Sequence, residues 1–175
     1  MELLTGTMKA GKSTLLLQKA KEVNAKGIPF VIIKSSIDTR DYFARNTDIS
    51  ELSKLNLGYF ADEKVEMEFL NRYEYIFVDE VQFLKPEFLE KLIARKLNGA
   101  KIILAGLLYD VNEKLWSYFE TLSPYLNTIT ILKATCDCCK KQEAIFQKRF
   151  GAVISDDYRV YCFDCNLKNS LLTKE

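Results

Sequence analysis

Eight residues near the start of the chain, Gly6-Thr7-Met8-Lys9-Ala10-Gly11-Lys12-Ser13, satisfy the pattern G-x-x-x-x-G-K-[ST] at every fixed position. The chemistry such a run performs is capture of a nucleoside triphosphate. Gly6 and Gly11 permit backbone angles that other residues resist, so successive amide N–H groups can converge on phosphate oxygens. The helix expected to begin at Lys12, with Ser13 and Thr14 in its first turn, turns its positive end toward the same anion. Lys12 can reach the β- and γ-phosphates, and the Ser13 hydroxyl can ligate Mg²⁺.

Magnesium held by such a loop needs a second acid. Tyr75-Ile76-Phe77-Val78-Asp79 puts Asp79 at the C-terminal end of an apolar strand, where α/β sheets bind ligands. Glu80 follows at once. Neighbouring side chains in a strand point to opposite faces, so a turn starting here is needed to aim both carboxylates at one site. One acid would then hold the metal through water while the other takes a proton from an attacking hydroxyl or water.

All five cysteines lie late in the chain: Cys136, Cys138, Cys139, Cys162 and Cys165. Cys136-x-x-Cys139 and Cys162-x-x-Cys165 are two knuckles with 22 residues between them, the spacing of a tetrahedral structural Zn²⁺ site. Four thiolates leave no open coordination position, so the metal would be structural, and Cys138 is left as a spare thiol. Histidine is absent. That removes Ser-His-Asp and Cys-His catalysis and any His-ligated metal.

These residues need elements to position them. Leu15, Leu16, Ala20 and Val23 recur at helical spacing over 12–25, closed by Gly27 and Pro29. Phe30–Ile33, Tyr75–Val78, Ile102–Ala105 and Ile129–Leu132 read as buried strands. Pro86 suits the start of a helix running to Leu97, and a further helix is expected over 112–122. Residues 35–72 are polar and weakly patterned and read as loop with some helical content. Apolar strands alternating with helices predict an α/β fold, a mostly parallel P-loop sheet covered on both faces. The character changes after Thr135, which predicts a nucleotide-binding domain over 1–134 and a small zinc lobe over 135–175.

The chain has 175 residues, with 25 Lys plus Arg against 24 Asp plus Glu, a net charge of +1. A dedicated nucleic-acid binder would show a strong basic excess, so nucleic acid is not the expected partner. No apolar run approaches the roughly 20 residues needed to span a bilayer. Met1-Glu2-Leu3-Leu4 lacks the basic and long apolar regions of a signal peptide, so a cytoplasmic, reducing setting is expected.

Taken in order, these motifs resemble the zinc-containing type II thymidine kinase family over nearly the whole chain. Gly6…Met8-Lys9-Ala10-Gly11-Lys12-Ser13-Thr14 is similar to that family's phosphate loop, and Asp38-Thr39-Arg40 to its D-x-R element. Asp79-Glu80-Val81-Gln82-Phe83 matches its D-E-x-Q-F segment, and Gly106-Leu107 follows the third expected strand where the family has a similar pair. Val153-Ile154 and Tyr158, before Cys162, resemble its nucleoside-closing loop.

The resemblance implies an ATP-dependent kinase acting on the 5′-hydroxyl of thymidine or a close deoxynucleoside, with Mg²⁺ and structural Zn²⁺. It implies Glu80 as general base, Asp79 for Mg²⁺, Arg40 and Lys12 on the phosphoryl charge, and Asp38 and Gln82 beside the nucleotide. The nucleoside would meet Met8, Phe83, Leu107, Val111, Trp116, Val153, Ile154 and Tyr158, and the assembly would be a homo-oligomer, a tetramer. This chain departs from the family pattern at Leu108 (usually Asp), at Val111 (usually Phe) and at Leu115-Trp116 (usually Pro-Phe). A competing reading is a helicase-like ATPase, since Asp79-Glu80-Val81-Gln82 also resembles a D-E-x-Q box. A third is a zinc-ribbon adaptor on a vestigial nucleotide fold.

Overall fold

The computed structural model describes residues 1–35, 55, 58–149 and 158–172. Asp38, Thr39 and Arg40, like Val153 and Ile154, lie outside the described residues.

The expected apolar runs become strands β1 (Glu2–Gly6), β2 (Phe30–Lys34), β4 (Tyr75–Asp79), β5 (Lys101–Ala105) and β6 (Thr128–Leu132). They are joined by β3 (Gly58–Ala61) in one six-stranded sheet of order β3-β2-β4-β5-β1-β6. Every pairing in it is parallel. Side chains alternate between its two faces, as the period of two demands. Leu3, Val31, Ile33, Ile76, Val78, Ile102 and Leu104 enter one buried cluster. Leu4, Phe30, Ile32, Phe77, Ile103 and Ala105 enter the other.

Helix α1 (Lys12–Ala25) covers the second face with Leu16, Leu17, Ala20 and Val23. The other face is covered by α3 (Pro86–Leu97), through Phe88, Leu89 and Leu92, and by α4 (Ser117–Leu122), through Tyr118 and Leu122. The result is a three-layer α/β sandwich. The C-terminal end of its sheet carries both the loop after β1 and the acids after β4.

Three expectations need correction. Within 35–72, read as loop with some helical content, the structure forms a one-turn helix α2 (Met67–Leu70) and, against expectation, the strand β3. The helix expected over 112–122 begins only at Ser117. Asp110 Oδ1 accepts the amides of Asn112 and Lys114 at 2.8 and 2.9 Å, and the Asp110 amide donates to the Lys114 carbonyl at 2.8 Å. This folds 110–114 into a tight turn, closed by a bridge between Tyr109 and Leu115. Finally, β6 is an edge strand rather than a covered one: Ile129 and Ile131 are exposed.

After β6 the chain builds two small antiparallel pairs. One is β7 (Ala134–Thr135) with β8 (Gln142–Ala144), the other β9 (Phe146–Arg149) with β10 (Tyr158–Tyr161). Helix α5 (Phe163–Leu172) follows. Ala134, Cys136, Ala144, Val160, Tyr161 and Cys165 form their own buried cluster, against which Met8 and Ala10 of the N-terminal loop pack. Among the described residues no helix is long and apolar enough to cross a membrane.

Candidate functional site

β1 delivers Gly6 to the edge of the loop, in register with Leu132 of β6. Gly6 sits at φ +143°, and a Cβ there would run into the Leu132 carbonyl oxygen, so the strands can close only over glycine. At the other end Gly11 lies at φ +83° with open space around it, so conformation and not room requires the glycine. Lys12 opens α1 and is buried, and its Nζ donates to the Thr7 carbonyl at 2.8 Å. The ammonium is thus folded across the loop it would share with a triphosphate. The first turn of α1 holds no acidic residue, so the helix's positive end is uncompensated by its own side chains.

The strand carrying the acids is separated from β1 by β5 alone. Asp79 ends β4, almost fully buried, and its Oδ1 accepts a hydrogen bond of 3.0 Å from Ser13 Oγ. The proposed metal hydroxyl and metal acid therefore meet across 66 residues of sequence. Glu80 adopts φ +51°, a left-handed turn directly after β4. A short 3-10 turn, Val81–Phe83, comes next.

Gln82 then fixes Glu80. Its Nε2 donates to Glu80 Oε2, while its Oε1 accepts the Leu107 amide at 3.0 Å. Gly106 makes this approach possible, because a Cβ there would lie 2.5 Å from Val81 Cγ1 and 2.7 Å from Gln82 Oε1. Tyr118 OH donates to the Leu107 carbonyl at 2.9 Å. Burial, and after it the charge of Glu80, pushes that hydroxyl well above its usual range, so it stays a donor.

Beside these acids Phe83 and Trp116 meet edge to face, with ring centroids 5.9 Å apart. Leu107 and Tyr158 are buried, and Met8 and Val111 are half-buried. A cavity of about 440 Å³ opens beside the loop, lined by Gly6, Thr7, Leu108, Tyr109, Phe146 and Gln147 among others. Phe83, Leu107, Val111 and Trp116 are not part of its wall.

In the C-terminal lobe the Sγ atoms of Cys136, Cys139, Cys162 and Cys165 all lie within 4.8 Å of one another. A tetrahedral zinc with Zn–S bonds of about 2.3 Å needs an S···S edge of about 3.8 Å. Cys139 and Cys162 already stand at 3.7 Å, so the set fits that metal. Burial works against ionising Cys136, yet backbone hydrogen bonds from Cys139, Cys162 and Cys138 bring its thiol down to about 6. Cys165 is pushed far up by its contacts with Cys138 and Cys162. Cys136 is thus prepared as a thiolate, while Cys165 keeps its proton until a cation replaces it. Cys138 is exposed and outside the set.

Sequence reasoning missed Gly106 and Tyr118 as supports of the acid site. It also missed the contacts from the C-terminal lobe to the loop: Lys9 Nζ to Asp137 Oδ2 at 2.9 Å, and the Met8 amide to Gln147 Oε1 at 3.0 Å. Only the charge of Asp137, inside the first knuckle, gave a hint.

Comparison with known proteins matches a family model described as thymidine kinase to residues 1–165. A thymidine kinase of Mycoplasma mobile is 28% identical over 176 residues, covering 96% of this chain and 87% of that protein. One from Amsacta moorei entomopoxvirus is 30% identical over 153 residues, covering 85% of this chain and 84% of that protein. One from Mycoplasma genitalium is 27% identical over 184 residues, covering 99% of this chain and 84% of that protein.

Proposed function

This chain belongs to the thymidine kinase family, and from that premise we propose that it carries the γ-phosphoryl group of ATP to the 5′-hydroxyl of thymidine. Phosphoryl transfer asks a protein for positioning and for opposite charge rather than for covalent chemistry. The loop amides and Lys12 take the triphosphate. Ser13 and Asp79 would hold Mg²⁺, with Asp79 also fixing the Ser13 hydroxyl. When bound, Mg²⁺ would supply positive charge to offset that of the triphosphate oxygens. Glu80, one residue from Asp79 and clamped by Gln82, accepts the proton of the attacking hydroxyl.

The observation that carries this reading is the 3.0 Å contact between Ser13 and Asp79 with Glu80 next in sequence. It supports a reading in which phosphate loop, metal acid and base work at one place. Phe83 and Trp116 offer an apolar wall for a base, which the family resemblance would extend with Met8, Leu107, Val111 and Tyr158. Arg40 on the phosphoryl charge, Asp38 beside the nucleotide, and Val153 and Ile154 over the nucleoside complete the proposal from the family resemblance. Zinc in the four-thiolate set would hold the 135–175 lobe together beside the 1–134 domain, and the proposed working form is a homo-oligomer.

The test is transfer from labelled ATP–Mg²⁺ to a panel of nucleosides. Thymidine should give dTMP at the highest rate. ATP hydrolysis stimulated by DNA and indifferent to every nucleoside would refute the proposal.

A further inference from the structure

Lys9, at the crest of the phosphate loop, stands at φ +65°. A side-chain-bearing residue is disfavoured there by roughly tenfold, and it stays only where its surroundings hold it. The surroundings come from the C-terminal lobe. Lys9 Nζ meets Asp137 Oδ2 at 2.9 Å, and the same oxygen accepts the Val160 amide at 2.8 Å, which ties Asp137 to β10. One residue earlier, the Met8 amide donates to Gln147 Oε1 at 3.0 Å, and Gln147 Nε2 donates to the Tyr109 carbonyl at 3.2 Å. Met8 and Ala10, on either side of Lys9, pack on the lobe's apolar cluster. The ion pair is about three-quarters covered on both sides, so water screens it less than an exposed pair.

We propose that Asp137 is a positioning residue for nucleotide binding: through Lys9 it holds the crest of the phosphate loop in its left-handed shape, coupling the four-cysteine lobe to the triphosphate site. Asp137 sits between two of the cysteines, Cys136 and Cys139, so the fold of that knuckle decides where its carboxylate stands. The geometry gives the lobe a second task beside closing over a substrate. It sets the curvature that lets the loop amides converge. The proposal rests on the reading of residues 6–13 as an ATP loop.

The experiment is calorimetric titration of ATP–Mg²⁺ into the zinc-loaded full chain and its variants, with zinc content measured on each. Asp137→Ala should weaken ATP–Mg²⁺ binding about threefold to tenfold and raise the KM for ATP more than it lowers kcat, with zinc content unchanged. Asp137→Asn keeps an acceptor for the Val160 amide but loses the charge, and it should fall between wild type and Asp137→Ala. Lys9→Gly removes both the ammonium and the backbone penalty, so in that background Asp137→Ala should add no further loss. Should Asp137→Ala not fold, Asp137→Asn carries the same comparison. ATP affinity unaltered in Asp137→Ala and Asp137→Asn would overturn the proposal, leaving a plain surface ion pair. An equal loss in the Lys9→Gly background would overturn it too, since the effect would then bypass Lys9. A wild-type chain that binds no ATP–Mg²⁺ would instead remove the reading beneath it.

Discussion

Replacing Glu80 by Gln isolates the proton-accepting role proposed for one carboxylate and leaves the rest of the site standing. The side chain keeps its length, and the left-handed turn at position 80, φ +51°, is a backbone property that the change does not address. Gln82 Nε2 still finds an oxygen, because the new amide can present its carbonyl where Oε2 stood, and Gln82 Oε1 keeps the Leu107 amide. Asp79 and Ser13 are untouched at 3.0 Å. What is lost is the carboxylate's proposed role of taking the proton of the 5′-hydroxyl, worth roughly 10²–10⁴-fold in the chemical step. Single-turnover transfer from labelled ATP to thymidine should fall by that factor, while ATP–Mg²⁺ binding by calorimetry should stay within about twofold of wild type, since no phosphate contact changes. Turnover near normal would remove Glu80 from the mechanism. A parallel collapse of ATP binding would show instead that Glu80 shapes the nucleotide site.

Two further changes test the supports. Gly106→Ala forces a Cβ to within 2.5 Å of Val81 Cγ1 and 2.7 Å of Gln82 Oε1; it should cost about 1–3 kcal/mol in urea unfolding and loosen Glu80 enough to lower kcat, and an unchanged unfolding midpoint would contradict the packing. Cys165→Ser should cut zinc content well below one per chain and unfold the lobe around Val160 and Tyr161, because thiolate–zinc binding contributes on the order of 10 kcal/mol. Cys138→Ser should keep its zinc, and equal metal loss in the two variants would refute the assignment of ligands.

The parts of this molecule that sequence made legible share a physical cause. Strands buried on both faces of a parallel sheet are continuous apolar runs, so Phe30–Ile33, Tyr75–Val78 and Ile102–Ala105 stand out without any tertiary knowledge. The glycine-lysine-serine loop and the two cysteine knuckles are local patterns, complete within a few residues. What could not be read depends on partners distant in sequence. β3 is a strand because Phe30–Ile33 offers it a parallel edge at Gly58–Ala61. The 112–122 helix lost its first turn to Asp110, whose carboxylate competes for the amides of Asn112 and Lys114. The Ile129 and Ile131 side chains look like core by composition, yet β6 is an edge strand and leaves them in the open.

The same division runs through the site. Every residue proposed to touch phosphate, metal or the reacting hydroxyl among the described residues was visible as a motif, because those groups are chemically unusual. The residues that aim them carry ordinary chemistry. Gly106 contributes only the absence of a Cβ, and through it Gln82 can reach both Glu80 and the Leu107 amide. Tyr118 anchors the next carbonyl from a helix that starts five residues later than the periodicity proposes. Asp137 belongs by sequence to the metal knuckle and by contact to the phosphate loop. The proposed general base is therefore held by a chain of contacts running from β4 through Gln82 to the loop after β5. Any substitution that opens the gap between Gly106 and Val81 should reach the chemistry at Glu80 without touching a catalytic residue.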